Sequence, residues 1–72
     1  MAEKEIKIRD DEDYITLNVL LKITGVISTG GMAKIYLKNH DVLVNGEIEN
    51  RRGRKLYRND VIKVEGQTFI IK

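Results

Sequence analysis

The chain has no cysteine, no proline and no tryptophan, and it carries a single histidine among 72 residues. Without cysteine there is no disulfide framework and no thiolate metal site, and His40 alone cannot assemble a zinc centre. Stability must therefore come from packing. No apolar run approaches the ~20 residues needed to span a bilayer. The start Met-Ala-Glu-Lys-Glu lacks the basic and apolar stretches of a signal peptide, so a cytoplasmic protein is expected. Aromatic residues are few, namely Tyr14, Tyr36, Tyr57 and Phe69, which disfavours recognition of single strands on an aromatic platform. His40 has no Ser, Cys or paired carboxylate at a motif spacing, so no catalytic residue, cofactor or metal is assigned and the protein is not expected to be an enzyme. Asp10-Asp11-Glu12-Asp13 lacks the glycine and spaced ligands of a calcium loop and reads as a solvated connector.

What is present is aliphatic and charged. Hydrophobic residues make up 42% of the chain and charged ones 33%, a balance that suits one small folded domain rather than a disordered segment. The net charge of +2 hides a division: residues 1–13 hold six acids against three bases, whereas residues 14–72 hold five acids against ten. The first stretch is read as an N-terminal strand and acidic connector, the second as the domain proper. Between Arg51 and Arg58, five of eight residues are Arg or Lys and none is acidic. Crowded like charges repel, so a polyanion is their natural partner.

Local patterns lay out the elements. Glu5 to Arg9 alternates polar and apolar residues, as a short edge strand does. Thr16 is placed to cap a helix from Leu17 to Thr24, with Leu17, Leu20 and Leu21 on one stripe and Gly25 as the stop. Ser28 or Thr29 is placed to cap a second helix from Gly31 to Asn39, in which Ala33, Tyr36 and Leu37 form the apolar face. The period then falls to two. Asn45-Gly46 between Val42–Val44 and Glu47–Glu49 signals a type I′ hairpin, and Gly66-Gln67 between Val61–Glu65 and Thr68–Lys72 suggests a type II′ turn. Lys55-Leu56-Tyr57 fits a short strand or extended link, and Arg58-Asn59-Asp60 a turn with Asn59 in the left-handed region. The fold class is α+β: two short helices packed on a bent antiparallel sheet of about four or five strands.

These residues resemble a known family. A first helix over Leu17–Gly25, the small-residue turn Ser28-Thr29-Gly30-Gly31, Ala33-Lys34 opening a second helix, the hairpin Val42-Leu43-Val44-Asn45-Gly46 and the strand opened by Asn59-Asp60-Val61-Ile62 are similar to the RNA-binding domain named after small-subunit ribosomal protein S-four, or alpha-L motif. The specific part is the spacing of thirteen positions from Ala33 to Gly46. Gly30-Gly31 before Ala33-Lys34, with Glu49-Asn50-Arg51-Arg52-Gly53-Arg54-Lys55-Leu56, looks most like the small stand-alone bacterial members, often called YaaA-like. The resemblance implies a free-standing, non-catalytic RNA-binding protein, linked to ribosomes or their assembly. Thr16-Leu17-Asn18 departs from the family's Arg-Leu-Asp unit, and Gly30 stands where an Arg is common, so two familiar cations are missing. His40 and Asn59 stand where Gly is usual; both residue types tolerate the left-handed region.

The candidate RNA-binding residues form three groups. Lys34 and Lys38 sit at i and i+4 on the second helix, with Lys22 at the end of the first; the competing reading is a solvated lysine face relieved by Asp41. Ser28, Thr29, Gly30 and Gly31 offer backbone N–H groups to a phosphate, or are simply a tight interhelical turn. Asn45 belongs to the hairpin tip, and Arg51, Arg52, Arg54, Lys55 and Arg58 carry planar or point donors suited to phosphate, unless Glu47 and Glu49 balance them across the hairpin. Tyr57 reads as core beside Leu56, with base stacking as the alternative. Exposed charges contribute little to folding, so replacing Arg51, Arg52 and Arg54 with Ala is expected to weaken RNA binding and spare stability.

The leading function is recognition of structured RNA, rRNA or tRNA-like, by shape and phosphate contacts, with the protein a monomer that takes no small-molecule substrate and no membrane. The alternative is a protein-interaction module docking an acidic protein partner, for which the sequence offers no evident apolar hot spot. DNA reading is disfavoured because the second helix presents Lys34 and Lys38 rather than base-reading Arg, Asn or Gln.

Overall fold

A computed structural model describes residues 3–72. Its elements in chain order are β1 (Lys4–Ile6), β2 (Tyr14–Thr16), α1 (Leu17–Ile23), α2 (Met32–Asn39), β3 (Leu43–Val44), β4 (Glu47–Ile48), β5 (Lys55–Tyr57), β6 (Val61–Val64) and β7 (Gln67–Ile71). Five strands form a sheet in the order β1-β7-β6-β3-β4, and β2 pairs with β5 in a separate two-stranded ribbon. The expected antiparallel arrangement holds for the hairpins, but β1 runs parallel to β7, with Lys4 opposite Phe69 and Ile6 opposite Ile71. No helix among the described residues is long and apolar enough to cross a membrane.

Helix α1 forms where the leucine stripe and its caps agree. The Thr16 hydroxyl accepts from the Val19 N–H at 3.4 Å, Thr24 ends the helix, and Gly25 leaves it at φ 81°. Leu17, Leu20 and Leu21 are fully buried, as spacing i, i+3, i+4 requires of a core-facing stripe. Truncating any one of these leucines to Ala would cost about 2–5 kcal/mol. They share one buried core with Ala33 and Leu37 of α2, Leu56 of β5, and Val44, Ile62, Val64, Phe69 and Ile71 of the main sheet.

The cap of α2 differs from expectation. Neither Ser28 nor Thr29 caps it; Gly31 is the cap residue and makes no side-chain bond. The backbone closes this turn by itself, because the N–H groups of Met32 and Ala33 donate to the carbonyls of Thr29 and Gly30 at 3.1 and 3.3 Å. At the other end His40 is extended, at φ −137°, and not left-handed. Its ring instead stacks on Tyr36, with centroids 4.4 Å apart.

Asn45 and Gly46 have φ values of 53° and 86°, the type I′ geometry expected of them. The second hairpin turns one residue earlier than Gly66-Gln67 suggested. Glu65 and Gly66 take its centre at φ 53° and 71°, Val64 pairs with Gln67, and Ile62 pairs with Phe69. A type I′ turn matches the twist of the flanking strands. The Tyr36 hydroxyl donates to the carboxylate of this left-handed Glu65. Burial and this hydrogen bond both push the Tyr36 phenol upward in pKa.

Candidate nucleic-acid interface

The loop between β4 and β5 is organised around an acid. Glu49 is only 7% exposed, although the neighbouring Ile48 on the same short strand end faces solvent. Its N–H donates to the Val42 carbonyl at 2.8 Å, which fixes it at the base of the hairpin. There its carboxylate accepts from the Arg51 N–H at 3.1 Å, from Arg51 Nε at 2.9 Å and Nη2 at 3.1 Å, and from Arg54 Nη1 at 2.8 Å. The hydrogen bonds from Arg51, opposed by burial and reinforced by Arg54, hold the carboxyl at about 2, below its ordinary 4.5. The same contact raises the Arg51 guanidinium.

Two cations are thus tied to one carboxylate, and donors remain on each. Arg51 uses Nε and Nη2, which leaves Nη1; Arg54 uses Nη1 for Glu49 and Nε for the Lys55 carbonyl at 3.3 Å, which leaves Nη2. Arg58 turns away from this loop. Its guanidinium donates to the carbonyls of Glu12 at 3.2 Å, Arg9 at 3.2 Å and Ile8 at 3.5 Å, clasping the acidic connector to the body of the fold. Lys55 sits with Nζ 4.9 Å from the centroid of the Tyr14 ring. For Arg52, Lys22, Lys34 and Lys38, no ion pair or side-chain hydrogen bond is found among the described residues, and Asp41 makes no ion pair with Lys38. Glu47, the other acid expected to balance the loop, is exposed and pairs with none of these cations among the described residues.

The loop is joined to the first helix by its backbone. The N–H groups of Leu17 and Asn18 donate to the carbonyls of Arg54 and Arg52, both at 2.9 Å. These are orphan donors of a helix start, so the loop acts as the rest of the α1 cap. Asn18 also reaches the interhelical turn: a Cβ added at Gly30 would lie 3.3 Å from Asn18 Nδ2. A side chain at position 30 would require the Asn18 amide to give by a few tenths of an ångström. Asn18 Oδ1 is buried with no partner among the described residues. Through Asn18, the loop at 51–54 and the turn Ser28–Gly31 lie on either side of the same helix end. Ser28, Thr29 and Gly31 are exposed there, and Lys34 and Lys38 follow on the exposed face of α2.

Asn45 has a structural occupation. Its Nδ2 donates to Asp60 Oδ1 at 3.1 Å and its Oδ1 accepts the Val61 N–H at 2.9 Å. Asp60 in turn takes the Tyr57 N–H at 2.8 Å, and Asn59 adopts φ 80° in that turn as its sequence suggests.

Tyr57 is not a core residue. Leu56 points inward and Tyr57 is 48% exposed, as alternation along β5 dictates once Leu56 is buried. Its ring lies 5.9 Å from that of Tyr14, its register partner across the β2–β5 ribbon. Sequence reasoning overlooked the partner strand because Tyr14–Thr16 is only three residues long and pairs forty positions away.

The model for the S4 domain matches residues 6–72. The chain is also 57% identical over 56 residues to the probable ribosome maturation protein RlbA of Bacillus subtilis (strain 168), an alignment covering 78% of this chain and 79% of that protein.

Proposed function

The chain belongs to the S4-domain family, and on that premise we propose that it is a non-catalytic protein that binds structured RNA, with rRNA during ribosome assembly as the target class. The name of RlbA, a probable ribosome maturation protein, supports that target. The observation that carries the reading is the junction at Asn18, where backbone bonds from α1 to the cationic loop and close packing on Gly30 bring that loop and the turn leading into α2 around one helix end. Lys34 and Lys38 on one side, and Arg52, Lys55 and the remaining donors of Arg51 and Arg54 on the other, form a phosphate-reading surface. Ser28, Thr29, Gly30 and Gly31 lie between them, and Lys22 at the far end of α1 extends the charge. Arg58 and Asn45 serve this surface indirectly, by holding the connector and the hairpin.

The test is the salt dependence of binding to an rRNA hairpin, read by fluorescence anisotropy. About five phosphate contacts give a log–log slope near −4, a loss of roughly a hundredfold or more between 50 and 200 mM salt. A flat response would overturn the reading. The protein is taken to act as a monomer, which sedimentation of the free protein and of its complex checks.

A second reading has its own observation. Met32 and Ile35 stand 45% and 64% exposed on α2, among Lys34 and Lys38, and line a shallow groove with Val26, Tyr36 and His40. An apolar anchor amid cations is what docking an acidic protein would use. Partners retained on the protein after RNase treatment would favour this reading, and their complete loss would favour RNA.

A further inference from the structure

The fold gathers two of its four aromatic side chains at one exposed place. Tyr14 and Tyr57 are cross-strand partners on the outer face of the β2–β5 ribbon, and Lys55, on the same face of β5, holds its ammonium over Tyr14. The other two are otherwise engaged: Tyr36 bonds Glu65 and stacks on His40, and Phe69 is buried in the core. Tyr57 forms one wall of an open hollow of about 400 Å³ whose remaining lining is Arg51, Gly53, Arg54 and Lys55. That volume is in the range of small-ligand sites. Gly53 contributes no side chain, and nothing lies within 4 Å of where its Cβ would be, so the mouth stays open.

We propose that this hollow receives a single unpaired nucleotide, its base stacked on Tyr57 and its phosphate held by Lys55 and by the donors that Arg51 and Arg54 do not give to Glu49. The assignment rests on the RNA-binding reading above and deepens it. A planar π-face beside guanidinium and ammonium donors matches the two halves of a nucleotide, and neither half alone requires both kinds of group. Glu49 fixes the site: it holds both guanidiniums while leaving a terminal nitrogen of each unengaged by it, and both side chains line the same hollow as Tyr57. Stacking on tyrosine is tolerant of base identity, so the site selects an unpaired nucleotide and not a sequence. The scarcity of aromatics rules against a long single strand and permits one base at a bulge in an otherwise folded RNA.

The experiment compares two RNA hairpins that differ by one bulged 2-aminopurine, with binding read by anisotropy and stacking by quenching of the 2-aminopurine. The bulged hairpin should bind about tenfold more tightly, within the span that single-base stacking supplies. Tyr57→Leu should remove that advantage and the quenching while leaving affinity for the paired hairpin unchanged, and Tyr57→Phe should retain both. Equal affinity of the wild-type protein for the two hairpins, or an advantage that survives Tyr57→Leu, would overturn the proposal and leave RNA binding standing. Failure to bind either hairpin at low salt would overturn both.

Discussion

Helix α2 and the loop between β4 and β5 both carry dense positive charge, and the fold treats them oppositely. Lys34 and Lys38 have no ion-pair partner among the described residues, whereas Arg51 and Arg54 are fastened to Glu49, and Arg58, just beyond, to three backbone carbonyls. In the helix, charge is simply displayed. In the loop, part of it is spent on shape, and the side chains thereby lose freedom before any ligand arrives. Reduced freedom is favourable for recognition, because a donor already oriented has less entropy to lose on binding. Charge density along a sequence and charge available to a partner are therefore different quantities, and the difference here is one carboxylate and, for Arg58, three backbone carbonyls.

The contrast can be broken most forcefully by removing the displayed charges. Lys34→Ala with Lys38→Ala and Arg52→Ala should lower affinity for an rRNA hairpin by roughly a hundredfold at low salt and make the salt slope shallower by about two to three units, with thermal melting unchanged. A slope that stays as steep would place the contacts elsewhere.

Removing the anchor should act differently. Glu49→Ala deletes a negative charge, which on net charge alone ought to strengthen binding to a polyanion. We expect it instead to weaken RNA binding several-fold and to cost about 1–2 kcal/mol of stability by denaturant titration, since the charge-assisted bonds are lost while Arg51 is exposed and Arg54 partly so. For the same reason the Arg51, Arg52 and Arg54 triple substitution will not spare stability as exposed charges would: it strands Glu49 in its buried position. Tighter RNA binding by Glu49→Ala would show that the clamp has no positioning role.

Acid titration sharpens the same point at lower amplitude. The Glu49 carboxyl is held at about 2 in the folded protein against its ordinary 4.5. Its contribution is therefore fully present above pH 4.5 and lost progressively as pH falls toward 2. Wild type and Glu49→Gln, melted at steps between pH 5 and pH 2, should converge across that window; a constant gap would mean the carboxylate adds nothing. The smallest effect is expected outside the comparison altogether: Asn59→Gly, at φ 80°, should change stability by only a few tenths of a kcal/mol and leave RNA binding alone.

Much of this fold was legible because its signals are local. Thr16, Gly25, Asn45-Gly46 and Asn59 each mark a helix end or a turn through their own dihedral or hydrogen-bonding preferences, and each occupies the place expected. The spacing from Ala33 to Gly46 pointed to the S4-domain family by resemblance. The Tyr14–Thr16 strand and the parallel pairing of β1 depend on partners far along the chain, so no local pattern declares them, whereas the last hairpin was displaced by one residue because Glu65, a residue type uncommon at positive φ, takes the first central position of its turn. The candidate site divides in the same way. The run of arginines is plain in the sequence, but its tie to Glu49 follows from the backbone bond to Val42 that seats this residue at the hairpin base, burying the carboxylate and leaving Ile48 exposed, against hydropathy. An acid two and five positions ahead of two arginines at a hairpin's base was the signal available.

Because the carbonyls of Arg52 and Arg54 complete the cap of α1, the number of residues in that connection is part of the helix's own stability. Surface loops ordinarily absorb insertions and deletions with little penalty. Between Arg52 and Arg54 there is no such slack: an added residue would put one of the two carbonyls out of register with its partner, Leu17 or Asn18. Diversification at that point of the surface is thereby confined to exchanging side chains on a backbone of fixed spacing.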